Sequence, residues 1–171
     1  MGVTYFDLLT ALVALDAQVV LQGKTRQKIP LQHTFTGQHQ SLVENELVKE
    51  VVFKIPSGRI YSSFQRVALT EADVSILSVA VLIKLSGRKC SLARIAVGSG
   101  LPCPIRIPAV EEELVGRTFN EISINSASQK IGTKIEPISD IRGSAEYRKE
   151  ISGVLLRRAL TECLRKAEEK K

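Results

Sequence analysis

The side chains able to do chemistry are few and scattered. His33 and His39 are the only histidines. Neither lies in an H-E-x-x-H pattern or a carboxylate-rich cluster, so both read as loop residues rather than metal ligands or bases. A serine nucleophile needs a histidine and a strand-to-helix elbow such as G-x-S-x-G, and no such elbow occurs. Gly98-Ser99-Gly100 follows a predicted strand and has the composition of a phosphate cradle. Leu101-Pro102-Cys103-Pro104 comes next, and prolines on both sides of Cys103 argue against a helix opening there with its amides facing an anion. The segment therefore reads as a turn. Glu111-Glu112-Glu113 falls in the first turn of a predicted helix, where carboxylates complement the macrodipole. Cys90, Cys103 and Cys163 are far apart and odd in number, suggesting neither a disulfide framework nor a C-x-x-C metal site. That usage fits a reducing, cytoplasmic setting. No self-contained catalytic constellation emerges.

The 171 residues are 44% hydrophobic and 25% charged, enough for an ordinary buried core in one domain or one domain plus part of another. Aromatic residues are 5% of the chain and tryptophan is absent, so Val, Ile, Leu and Ala must fill that core. This composition does not supply an aromatic platform for stacking bases. Much of the net charge of +6 sits near the end of the chain. There Arg148, Lys149, Arg157, Arg158, Arg165, Lys166, Lys170 and Lys171 alternate with Glu146, Glu150, Glu162, Glu168 and Glu169. Mixed signs mark a solvated helix face with i,i+4 pairs, not a nucleic-acid stripe. The apolar run from Leu8 to Leu15 is too short to span a bilayer, and no Lys or Arg precedes it, so neither secretion nor membrane insertion is expected.

Asp7 can cap a helix over Leu8 to Leu15, apolar almost all round and expected to be buried. Val19-Val20-Leu21 and Lys28-Ile29-Pro30-Leu31 flank Gly23-Lys24 and predict a hairpin. Leu47 to Ile55 predicts a strand, with Leu47, Val51, Phe53 and Ile55 on one face and Val48, Glu50, Val52 and Lys54 on the other. Pro56-Ser57-Gly58 breaks the pattern and marks a domain boundary. Beyond it, Arg59 to Ala68, Val74 to Leu85 and Ser91 to Gly98 predict strands, the last two joined by the loop Ser86-Gly87-Arg88-Lys89. Helices are predicted over Ala109 to Val115, Asn120 to Lys130 and from Ser144 onward, with Tyr147, Ile151, Val154, Leu155 and Ala159 on the inward stripe, widened by Leu156, Leu160 and Leu164. The charged end from Lys166 to Lys171 is expected to fray. Strands followed by helices make an α+β fold.

Two long stretches carry a resemblance. Phe6-Asp7-Leu8-Leu9-Thr10-Ala11-Leu12-Val13-Ala14-Leu15-Asp16-Ala17 resembles the S-D-L-L-P-A-L-L-A-L-D-A segment of the flavoprotein subunits of molybdenum hydroxylases, the xanthine dehydrogenase and carbon monoxide dehydrogenase type. Phe35-Thr36-Gly37 and Glu46-Leu47-Val48 look like its sequel. Asp140-Ile141-Arg142-Gly143-Ser144-Ala145-Glu146-Tyr147-Arg148, then Val154-Leu155-Leu156-Arg157-Arg158-Ala159-Leu160, is similar to the family's ending. Ala93 to Gly98 and Glu113-Leu114-Val115-Gly116 fit between them in order.

The resemblance implies that residues 1–56 are the tail of an FAD-binding domain and 57–171 the C-terminal α+β domain of such a subunit. Electrons would pass from iron–sulfur clusters through FAD to an acceptor, with an iron–sulfur subunit and a molybdenum-cofactor subunit as partners. Asp7 matches an aspartate that bonds the flavin's ribityl chain or nearby groups, a role compatible with capping its helix. Leu47 and Val48 match positions packing on the isoalloxazine ring, and read equally well as ordinary strand core. Gln65 stands where the family often has lysine; its amide can donate a hydrogen bond but not neutralise an anionic reduced flavin. Arg142, Tyr147 and Arg148 read as anchors of a buried helix. The family's glycine-rich pyrophosphate loops have no counterpart here, so the chain is expected to bind FAD poorly without another polypeptide, such as the N-terminal half of the FAD domain, and to be inactive alone. An interaction or assembly module that kept this fold without redox work is the alternative.

Overall fold

The computed structural model describes residues 6–34 and 46–169, so Phe35-Thr36-Gly37 and His39 lie outside the described residues. Helix α1 (Phe6–Ala14) leads into strands β1 (Gln18–Gln22) and β2 (Arg26–Pro30), followed by a 3-10 turn at Leu31–Thr34 and strand β3 (Leu47–Val52). Strands β4 (Arg59–Val67), β5 (Leu77–Ser86), β6 (Lys89–Gly98) and β7 (Ile105–Arg106) then precede helices α2 (Pro108–Glu111), α3 (Glu121–Ile131) and α4 (Ala145–Glu169). The strands form two antiparallel sheets, ordered β2-β1-β3 and β4-β5-β6-β7. Antiparallel strands with helices gathered at the end of the chain make the expected α+β arrangement.

Strand β5 is the centre of the molecule because both of its faces are covered. Leu77, Val79, Val81 and Ile83 join Ile95 and Val97 of β6 in the main core, closed by Ile124 and Ile131 of α3 and by Leu155, Leu156, Ala159 and Leu160 of α4. On the other face Ala80 and Ala96 meet Val13, Ala14, Val19 and Leu21. Alternation of long and short side chains along β5 therefore sets a thick layer on one face and a close-fitting helix on the other. At Gly98 a methyl group would land on the Thr10 hydroxyl, so that glycine lets α1 sit down on the sheet.

Both predicted hairpins form, β1 to β2 and β5 to β6, the second with Gly87 at φ +61. Helix α3 carries a reciprocal cap: the Asn120 side chain accepts from the Ser123 amide at 3.0 Å, while the Ser123 hydroxyl accepts from the Asn120 amide at 3.1 Å.

Four local expectations need correction. Helix α1 already includes Asp7, whose carboxylate turns to distant hydroxyls instead of capping, and Leu8 is 69% exposed, so α1 is buried on one face only. Strand β3 is exposed at every position, leaving Leu47 and Val48 outside any core. The inward stripe of α4 is Arg148, Ser152, Leu155, Leu156, Ala159, Leu160, Cys163 and Ala167, whereas Tyr147 is exposed. At the helix entry the inward place is taken by Arg148 and not by Tyr147, one residue or roughly 100° away, while the expected Ile151 and Leu164 pack partly buried against the core. The charged end does not fray at Lys166: α4 continues to Glu169, with Ala167 buried and Lys166 reaching Glu162 at 2.7 Å.

Helices α3 and α4 cross closely because Gly153 has no side chain; a Cβ there would lie 2.8 Å from the Ser128 carbonyl oxygen. Gly153→Ala should destabilise the protein by about 1–3 kcal/mol through overpacking, read as a lower urea midpoint at unchanged slope.

Candidate functional site

Asp7 is held from three directions. The Ser75 hydroxyl donates to its Oδ2 at 2.8 Å, the Ser99 hydroxyl to Oδ1 at 3.2 Å, and Arg66 Nη1 lies 3.5 Å from Oδ2. The hydroxyl chain runs inward, since Ser78 Oγ lies 3.4 Å from Ser99 Oγ and 3.1 Å from Thr10 Oγ1. Thr10, Ser75, Ser78 and Ser99 are all buried, yet the Asp7 side chain stays 33% exposed. A carboxylate that takes Ser99 on Oδ1 and both Ser75 and Arg66 on Oδ2, and is still one-third exposed, is oriented to accept from a ligand hydroxyl.

Leu47 and Val48 lie on β3, 76% and 46% exposed, and Val51, Val52 and Phe53 continue the open apolar surface. Just before them, Glu46 Oε1 accepts a hydrogen bond from Gln27 at 3.5 Å. Its Oε2 is buried with no hydrogen-bond partner among the described residues. Solvent-facing apolar residues in this number on an edge strand mark a surface built to be covered.

Gln65 is not brought to Asp7. Neighbouring residues of a strand point to opposite faces. Arg66 turns toward α1 and Asp7, while the Gln65 amide donates to Glu162 Oε2 on α4 at 3.0 Å. Ser63 also donates to Glu162, at 2.5 Å, and Lys166 pairs with its other oxygen. The Lys166 hydrogen bond, then that of Ser63, hold the Glu162 carboxyl below the usual carboxylate range. The contact of Gln65 is therefore with a helix carboxylate on the other side of the sheet.

The Gly98-Ser99-Gly100 segment is a turn, with Ser99 at φ +56 and Gly100 at φ +124. It is buried throughout and its Gly100 carbonyl accepts from the Ile138 amide at 2.9 Å, so it presents no open cradle to a phosphate. Of the glutamate run, Glu111 lies in the first turn of α2, which ends at that residue, and Glu112 and Glu113 lie beyond it. Buried Glu111 also takes Arg106 in two contacts of 2.6 Å and the Ile95 amide at 2.8 Å. Glu113 pairs with Lys130 and Arg117, and the Lys130 hydrogen bond leads in lowering its pKa. Arg142 and Arg148 both bind Asp140, as anchors would. Burial pushes the Cys90 thiol up to about 11 and the Cys163 thiol up to about 12, so neither is a nucleophile near neutrality. Native protein treated with Ellman's reagent should release thionitrobenzoate promptly from Cys103 at most, with Cys90 and Cys163 reacting only on unfolding. Among the described residues no group of three or more His, Cys, Asp or Glu is placed to hold a metal, and no helix is long and apolar enough to cross a membrane.

The residues that hold Asp7 carried little signal in the sequence. Ser99 stood out only as a serine between two glycines, and Ser75 and Arg66 not at all, since their role depends on where two loops meet α1.

Residues 60–163 match the CO dehydrogenase flavoprotein C-terminal domain family. The chain belongs to that family. Among its relatives are the 6-hydroxypseudooxynicotine dehydrogenase complex subunit alpha of Paenarthrobacter nicotinovorans, 31% identical over 94% of this chain and 55% of that one. Another is the xanthine dehydrogenase FAD-binding subunit of Escherichia coli O157:H7, 23% identical over 95% of this chain and 57% of that one. The structure resembles a solved carbon monoxide dehydrogenase from Hydrogenophaga pseudoflava lacking the Mo-pyranopterin moiety of the molybdenum cofactor. The TM-score is 0.85 at 28% identity, covering 91% of this chain and 55% of the other. The chain thus spans about half the length of the relatives it matches. The structural likeness, over 91% of the chain, extends beyond the residues 60–163 of the family match.

Proposed function

We propose that the chain is the C-terminal part of the FAD subunit of a cytoplasmic molybdenum hydroxylase, in which electrons from iron–sulfur clusters pass through FAD to an acceptor. Its residues 1–56 form the end of the FAD-binding domain and residues 57–171 the C-terminal domain. FAD, when bound, exchanges both single electrons and hydrides, which suits it to such a junction. The observation that carries the reading is the likeness over 91% of the chain to a carbon monoxide dehydrogenase, within a flavoprotein family.

The residues present fit part of an FAD. Asp7 offers an oriented, partly open carboxylate for ribityl hydroxyls, Glu46 a buried oxygen with no donor among the described residues, and Leu47 with Val48 an apolar surface for a flat ring. They do not fit the pyrophosphate, which needs converging main-chain donors, whereas the Gly98–Gly100 turn is buried. The chain therefore completes a flavin pocket with another polypeptide segment, the N-terminal half of the FAD domain, and is inactive alone. Gln65 we assign to the Glu162 network.

The partners proposed are an iron–sulfur subunit and a molybdenum-cofactor subunit. Gel filtration of the chain with both, and with the N-terminal half, should give one peak containing all four polypeptides. Elution of the chain apart from both subunits would favour the second reading, an assembly or interaction module that kept the fold and lost the redox work. That reading is supported by Gln65, whose amide is spent on Glu162 of α4 and not offered to a flavin beside Asp7.

A further inference from the structure

The two sequence motifs at opposite ends of the chain meet through the residues that hold Asp7. Its three partners are Arg66, Ser75 and Ser99, and the next residue in each case is tied down. Val67 and Ile76 are joined by a hydrogen bond from the Ile76 amide to the Val67 carbonyl at 2.7 Å. Gly100 lies beneath Ile76, so that a Cβ on it would be 2.7 Å from the Ile76 carbonyl oxygen and 2.9 Å from both Cδ and Nε of Arg148. Gly143 packs on the Ile76 side chain from the same side, its Cβ position 3.2 Å from Ile76 Cγ2.

Arg148 is the floor of this arrangement. It is fully buried, donates from Nη2 to Asp140 Oδ1 at 2.6 Å, and donates from Nη1 to the Ile138 carbonyl. The Ile138 amide in turn donates to the Gly100 carbonyl at 2.9 Å. The Arg148 Nε is buried without a hydrogen-bond partner among the described residues and lies close to Gly100. A buried guanidinium with one donor unspent is a costly way to fill space. Ser99 also holds φ +56, a conformation a serine keeps only where its surroundings over-determine it.

We propose that Arg148, by fixing Gly100 and the turn at 138–140, is a positioning residue for the Asp7 carboxylate. It sets the Ser99 loop, and through Ile76 the Ser75 loop, so that the hydroxyls meet the two carboxylate oxygens. The consequence for flavin rests on the reading of Asp7 given above; the consequence for Asp7 itself does not.

The test uses the full chain and two readouts. In carbon-13 spectra of the chain alone, Arg148→Lys should shift the Asp7 carboxyl resonance, and Arg157→Ala, an exposed site on the same helix, should not. Asp140→Asn, which loosens Arg148 while keeping its shape, should shift it too and serves if Arg148→Lys does not fold. In the assembled complex, Arg148→Lys and Asp7→Asn should each weaken FAD binding by about tenfold, the loss of one hydrogen bond, and the double variant should be no weaker than Asp7→Asn alone. An unmoved Asp7 resonance in folded variants would overturn the proposal, as would additive losses. A moved resonance with FAD binding unchanged in both single variants would uphold the positioning role and remove Asp7 from the flavin site.

Discussion

Replacing Asp140 by alanine should cost the fold about 3–5 kcal/mol, because it leaves the fully buried Arg148 guanidinium without its counter-charge. Urea unfolding followed by far-ultraviolet circular dichroism would show it as a large drop in midpoint. The carboxylate is worth this much only while ionised. Burial raises its pKa, but the hydrogen bonds from the Arg142 side chain and amide and from Arg148 outweigh burial and bring it down from 3.8 to about 2. A depressed acid stabilises above its unfolded value and loses that contribution as pH falls through the folded value. The pair's contribution should thus be complete above pH 4 and vanish toward pH 2, with Asp140→Ala flattening that limb of the stability profile.

Gly100→Ala should be as damaging for a different reason. At φ +124 the backbone is in a region that L side chains rarely adopt, and the added methyl would meet the Ile76 carbonyl oxygen at 2.7 Å and Arg148 at 2.9 Å. Strain of about 1–3 kcal/mol and overpacking of a similar size combine, so a loss of roughly 2–6 kcal/mol is expected. Thermal unfolding would register it as a fall of many degrees. Alanine at Gly87, at φ +61 but with nothing within 4 Å, should cost only the conformational part.

Elements whose pattern is local were legible from the residues. The β5 to β6 hairpin announces itself through β-branched runs around Ser86-Gly87-Arg88-Lys89, and helix α3 through Asn120 and Ser123 at capping distance in sequence. What was illegible depends on partners far apart in the chain. Asp7 has the composition of a cap, and only folding brings Ser75 and Ser99 close enough to outcompete the backbone amides. The strand at Leu47 alternates as a half-buried strand should, yet its side chains face outward because the described chain supplies nothing to cover them. Arg148 reads as a helix-entry residue; its complete burial follows from a carboxylate eight positions earlier and a glycine in the turn after β6.

The candidate site divides in the same way. The motif around Asp7 singled out that residue and said nothing of what orients it. Gln65 was placed by motif alignment, and strand alternation sends it to the face opposite Arg66. The turn at Gly98-Ser99-Gly100 was read as a turn on the strength of its prolines, and the structure adds that its serine is one of the two hydroxyls on Asp7.

The most direct measurement is an equilibrium titration of FAD, followed by flavin fluorescence, into the purified chain and into the chain mixed with the N-terminal half of the FAD domain. Quenching that appears at micromolar FAD only in the mixture is the predicted result. Tight, saturable binding to the chain by itself would contradict it, since a pyrophosphate would then be held without the main-chain donors of the other half.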